Sequence, residues 1–107
     1  MIKNLSPGEF VARRAAGTPM TLLDVREDWE VELAPVPAEV VHIPMGLIAA
    51  RLDELDPGRE TVVICRSGGR SMEVARFLTT QGFDDVANLD GGILKWSRDL
   101  DPSIPQY

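Results

Sequence analysis

The segment Thr61-Val62-Val63-Ile64-Cys65-Arg66-Ser67-Gly68-Gly69-Arg70-Ser71 decides the fold, because it passes from a β-branched run through a glycine turn into a helical pattern. Thr61 to Ile64 reads as a short buried strand. Beyond the turn, Met72, Val74, Ala75, Phe77 and Leu78 recur at helical spacing until Gly82. A strand, a tight turn and a helix in that order place the Cys65 thiol at the C-terminal end of a strand, with the first turn of a helix behind it. The first N–H groups of a helix have no partners within it, and its dipole puts partial positive charge at that end. Gly68 and Gly69 let the chain curl so that successive N–H groups point at one centre. A thiolate there is stabilised, and so is an anionic substrate.

Outward from this segment the same units recur. Ser6-Pro7-Gly8-Glu9 reads as a helix start, with Ser6 as N-cap and Glu9 completing a capping box. Phe10, Val11 and Ala15 follow as an apolar stripe ended by Gly17 and Pro19. Met20 to Val25 is nearly all apolar, as expected of a parallel strand covered on both faces. Glu27 to Leu33 predicts a short helix with Trp29 and Leu33 on one face. Val40 to Ile43 predicts a strand, in which His42, the single histidine, is assigned a structural role. Leu47, Ile48, Leu52 and Leu55 predict a helix ended by Asp56-Pro57-Gly58. Asp85 to Leu89 predicts another strand, followed by a turn at Asp90-Gly91-Gly92 where glycine permits positive φ or close backbone approach. Ile93, Leu94, Trp96 and Leu100 then predict a closing helix, with Trp96 in the core. Arg76 reads as a helix-surface residue, and no function is legible in the tail Asp101 to Tyr107.

Apolar strands alternating with helices imply βαβ units and a mainly parallel sheet with helices on both faces. Right-handed crossovers put the strand C-termini on one edge, where Cys65, Asp24 and Arg26 converge. Arg26 is expected to pair with a carboxylate and hold neighbouring loops rather than contact a substrate.

A chain of 107 residues supports one domain, residues 1–107, with one modest core. Its net charge of −6 argues against nucleic acid or an anionic membrane as the main partner. One cysteine cannot form an internal disulfide, so the fold needs no oxidising compartment and the thiol has no resolving partner in the chain. With no bilayer-spanning run and no signal-peptide core, a cytoplasmic location is expected.

The run C-R-S-G-G-R-S at 65–71, with L-L-D-V-R-E at 22–27 before it and N-L-D-G-G-I-L-K-W at 88–96 after it, resembles a single-domain rhodanese, a sulfurtransferase. The resemblance covers nearly the whole chain, departing from the family pattern at Pro35 to Val40. It implies a three-layer fold around a five-stranded sheet, with Asp24 and Arg26 matching the family's D-V-R element. It also implies thiosulfate sulfurtransferase chemistry: Cys65 as thiolate takes the outer sulfur of a small anionic donor such as thiosulfate. The resulting persulfide passes that sulfur to cyanide in an assay, or to a thiol or sulfur-carrier protein in the cell. No metal or cofactor is expected.

Within the loop, the backbone N–H groups of Arg66 to Ser71 are expected to cradle the sulfur, in the manner of an oxyanion hole. Arg66 and Arg70 offer guanidinium forks for donor oxyanions. Ser67 is assigned to the turn and Ser71 to the N-cap. Arg66, Ser67 and two glycines make poor core, so Cys65 is expected to be an accessible, electropositively placed thiol rather than a small buried hydrophobe. Cysteine phosphatases and arsenate reductases are the competing enzyme class, but in the phosphatases five residues separate Cys from Arg, and here only four do. A regulatory or sulfur-relay module on the same fold is the remaining alternative.

Overall fold

The computed structural model describes residues 2–107. Its elements run β1 (Lys3–Leu5), α1 (Pro7–Ala15), β2 (Met20–Asp24), α2 (Asp28–Leu33), β3 (Val41–His42), β4 (Glu60–Ile64), α3 (Gly69–Thr80), β5 (Val86–Leu89) and α4 (Gly92–Asp99). The five strands form one sheet in the order β1-β5-β4-β2-β3, every neighbouring pair parallel. β4 is central and all five of its residues are buried. Cys65 therefore leaves the sheet at the middle of its carboxyl edge.

Two-residue alternation splits the core between the two faces. Leu22, Val62, Ile64, Ala87 and Leu89 face Phe10 of α1 and Ile93 and Trp96 of α4. Leu23, Val63, Cys65 and Val86 face Val74, Ala75 and Leu78 of α3. The Phe10 and Trp96 rings meet at 5.9 Å with a 54° tilt, which fixes α1 against α4. The result is the expected α/β arrangement of three layers.

The N-terminus of α1 is built as its sequence requires. The Glu9 N–H donates to Ser6 Oγ at 3.1 Å, and the Ser6 N–H donates to Glu9 Oε1 at 2.9 Å. Ser6→Ala removes one partner of this reciprocal cap and is expected to lower stability by about 1 kcal/mol. Chemical denaturation measures this as a lower midpoint with an unchanged slope.

Several elements differ from expectation. β1 has a single buried residue at an edge position, so it carries no apolar period that marks a strand. The helix expected from Leu47 to Leu55 is instead two 3₁₀ segments, Met45–Leu47 and Ala49–Glu54, closed by i→i+3 bonds and kinked at Arg51. The strand expected over Val40 to Ile43 pairs only at Val41 and His42. On α1 the stripe is essentially Phe10, since Val11 and Ala15 lie exposed.

Candidate functional site

β4 delivers Cys65 to the carboxyl edge, and the chain then turns through Arg66 and Ser67 to Gly68, which caps α3 with φ +113°. That left-handed conformation is the reason glycine stands there. The Gly68 N–H donates to Cys65 Sγ at 3.1 Å. Burial pushes the thiol up, but the Ser71 hydroxyl and the amides of Ser71, Gly68 and Ser67 together outweigh it and hold Cys65 below the ordinary cysteine value. Of the amides expected from Arg66 to Ser71, those of Ser67, Gly68 and Ser71 are the ones that act on the sulfur. The expected exposure is absent: Cys65 is only 1% exposed, with Val74 and Ala75 of α3 in the same core cluster.

The outer side of the loop is tied to α4. The Ile93 N–H donates to the Cys65 carbonyl at 3.0 Å and the Leu94 N–H to the Arg66 carbonyl at 3.1 Å. A Cβ at Gly92 would lie 2.4 Å from the Arg66 oxygen and 2.5 Å from that of Cys65, so only glycine lets α4 start this close. With the Arg66 carbonyl turned toward α4, the Ser67 N–H of the same peptide unit turns toward sulfur. This is the close backbone approach expected at Gly91-Gly92, and it falls on Gly92.

Ser71 is not the N-cap of α3. Gly68 takes that position, which puts the Ser71 side chain in the first turn on the sulfur side. Its Oγ lies 3.3 Å from Cys65 Sγ and 2.5 Å from Oδ1 of Asn88. Ser67 is exposed in the turn, as expected.

Around this centre runs a network of buried charge. Asp24 and Arg26 are both fully buried and paired, with Nη2 to Oδ2 at 2.8 Å and Nε to Oδ1 at 3.0 Å. Arg26 also donates to the Ala34 carbonyl at 2.9 Å and to the Tyr107 hydroxyl at 3.1 Å. It holds loops together, as its pairing with a carboxylate implied. The Tyr107 hydroxyl donates to Glu30 Oε2 at 2.8 Å, and Arg70 binds both oxygens of Glu30 at 2.7 and 2.8 Å. Arg70, together with the Tyr107 hydroxyl and the Glu27 N–H, holds the Glu30 carboxyl down to about 2 against the opposing effect of burial. Arg66 donates to the Tyr107 main-chain oxygen and lies over its ring at 5.2 Å. Both guanidinium forks thus have internal partners. His42 Nε2 lies 2.7 Å from the Arg26 carbonyl, a structural contact that fixes the start of α2.

Glu30, Asn88 and Tyr107 were not identified from sequence. Asn88 had a signal, a polar residue where the strand pattern asks for an apolar one. Tyr107 had none: the tail reads as polar and proline-rich, yet Ile104 is buried and Trp29, 60% exposed, meets the Tyr107 ring edge-on at 5.8 Å. Among the described residues no cluster of His, Cys, Asp and Glu could hold a metal ion, and no helix is long and apolar enough to cross a membrane. A cleft of about 620 Å³ lined by Phe10, Arg14, Met20, Arg59 and Trp96 lies at the opposite, amino edge of the strands.

Fold and loop together define a parallel α/β domain that presents one amide-ringed thiol at the carboxyl edge of its sheet. The rhodanese-like domain family model matches residues 6–99, and the chain belongs to that family. It is 42% identical over 101 residues to "Putative sulfurtransferase YtwF" of Bacillus subtilis, covering 94% of this chain and 96% of that protein. It is 38% identical over 96 residues to "Putative sulfur carrier protein YrkF" of the same organism, covering 90% of this chain and 51% of that one. The crystal structure of a rhodanese-like domain protein from Staphylococcus aureus matches with a TM-score of 0.83 at 25% identity, over 99% of each chain.

Proposed function

We propose that this protein is a sulfurtransferase that carries sulfane sulfur as a persulfide on Cys65. The observation that carries this is the set of backbone amides directed at one buried sulfur, with Ser71 Oγ in contact beside it. In the first step the Cys65 thiolate attacks the outer sulfur of thiosulfate. The S–S bond of the donor breaks, sulfite leaves with the bonding pair, and Cys65 carries a terminal persulfide sulfur with one negative charge. In the second step an acceptor nucleophile attacks that outer sulfur and Cys65 leaves as thiolate. Negative charge stays at the loop throughout, which suits donors that need no reorganisation.

Arg66 is exposed and held only by the Tyr107 oxygen and ring, so it is the fork that can turn to the sulfonate of a donor. Arg70 stays on Glu30 and steadies the start of α3. The likeness to a protein named as a sulfur carrier supports a protein thiol or sulfur-carrier tail as acceptor, with cyanide as its assay substitute. Because Cys65 is the single cysteine, the test is direct. Incubation with thiosulfate is expected to add one sulfur to the intact mass, prior alkylation to prevent it, and cyanide to remove it as thiocyanate. No gain with thiosulfate or any other sulfane donor, or a gain that survives alkylation, overturns the assignment. Hydrolysis of an aryl phosphate without sulfur loading restores the phosphatase alternative.

A further inference from the structure

Asn88 occupies the third position of β5, in register with Asn4 on one side and Val63 on the other. It is 4% exposed in a strand whose other residues are Val86, Ala87 and Leu89. A buried amide costs stability unless each of its groups is paired. Oδ1 accepts from the Ser71 hydroxyl at 2.5 Å, while Nδ2 lies 3.4 Å from the Gly68 carbonyl and 3.3 Å from Asn4 Oδ1. Two of the three partners belong to the thiol loop. The Gly68 carbonyl can only accept, so it fixes which end of the amide faces Ser71.

That orientation has a consequence for sulfur. A hydroxyl has one proton, and here Asn88 Oδ1 accepts it. The 3.3 Å contact between Sγ and Ser71 Oγ is then made by the S–H of the neutral thiol, donating to Oγ. When Cys65 ionises, its proton leaves to solvent. For its hydroxyl to donate to the thiolate, Ser71 has to turn from Asn88, and Oδ1 then loses its donor.

We propose that Asn88 is a positioning residue for the Cys65 thiol, acting through the single proton of Ser71. It sets a counterweight to the amides. A permanently donated hydroxyl adds to their stabilisation of the thiolate and makes it a poorer nucleophile, since nucleophilicity falls with basicity. Competition from Asn88 keeps the thiolate more basic and more reactive. The inference rests on the reading of Cys65 as the reacting thiol.

The pH profile of Cys65 alkylation by iodoacetamide tests it without any sulfur transfer. Asn88→Leu frees the Ser71 proton for sulfur. The midpoint of the profile is expected to fall by about one pH unit and the alkaline plateau roughly threefold. Asn88→Asp, closer in shape, holds the proton harder and adds negative charge, so its midpoint is expected to rise. In a Ser71→Ala background Asn88→Leu is expected to leave the profile unchanged, which a merely structural role does not require. Unmoved midpoints in both folded single variants, or a shift that persists without the Ser71 hydroxyl, overturn the proposal. Should Asn88→Leu not fold, Asn88→Asp decides by comparison with the Ser71→Ala background: a larger rise with the Ser71 hydroxyl present supports the proposal, and an equal rise without it is the added charge alone and overturns it. Failure of the sulfurtransferase assignment reads out separately, as absence of sulfur loading on a protein whose alkylation profile still obeys these rules.

Discussion

Gly92→Ala is expected to slow sulfur loading of Cys65 by about a hundredfold or more, the scale of losing a preorganised donor at a charged centre. The reason lies in one peptide unit. The bond between Arg66 and Ser67 sends its carbonyl to the Leu94 N–H at 3.1 Å and its N–H toward Cys65 Sγ. A methyl group at residue 92 cannot coexist with the Arg66 oxygen 2.4 Å away, and that neighbour is backbone, not a side chain that can swing aside. When the carbonyl tilts, the amide on the other side of the same plane tilts off sulfur. The φ of +59° at Gly92 adds about 1–2 kcal/mol of strain for any L-residue. Gly91→Ala is the control. Its φ is +73°, and its Cβ would crowd Lys95 Cβ at 2.6 Å and Cδ at 2.7 Å, atoms of α4 itself and not of the thiol loop. It is expected to lose at least about 1–2 kcal/mol in thermal or chemical denaturation while loading sulfur within a few-fold of the unaltered protein. Equal loading rates for the two variants would show that α4 does not aim the loop.

The part of this site that depends on Cys65, Gly68 and Gly92 was legible because local chain geometry dictates it. A β-branched run, a glycine that must take positive φ and an apolar period of 3.6 each leave a mark in sequence, and so does the Ser6-to-Glu9 cap. The donor ring followed from strand, turn and helix alone. Residues that reach the site from a distance left no such mark. Tyr107 lies 81 residues from Arg26 in sequence and 77 from Glu30, and nothing local in a proline-containing tail indicates that its hydroxyl joins them. Glu30 sits on a six-residue helix whose charged pattern reads as solvated, while it is Trp29 and Leu33, the apolar pair, that face outward. Ser71 was misplaced by one turn because a Gly68 cap in the left-handed region needs no side chain, and the sequence offered a serine nearby. The accessible thiol failed for a related reason: exposed neighbours in sequence, Arg66 and Ser67, bound a residue that itself points back into the α3 face.

Glu30→Gln is expected to reduce stability at neutral pH by about 3 kcal/mol, and the loss is expected to vanish in acid. Glu30 is 3% exposed and accepts from Arg70, the Tyr107 hydroxyl and the Glu27 N–H, so one carboxylate joins α2, α3 and the tail around the loop. Its folded value of about 2 lies below the 4.5 of an unperturbed glutamate, chiefly because the Arg70 guanidinium favours the charged form. A group depressed in the folded state contributes stability that is fully present above its unfolded value. That contribution declines as pH drops below about 4.5 and is gone once pH passes through about 2. The amide of glutamine carries no charge at any pH, and its NH₂ meets donors where the carboxylate met them as an acceptor. Denaturant titrations at pH 7, pH 4 and pH 2.5 are therefore expected to show the two proteins far apart, closer, and separated by only about a quarter of the neutral-pH gap. A gap that stays constant across that range would mean that packing around residue 30, not its charge, holds α2 and the tail against the thiol loop.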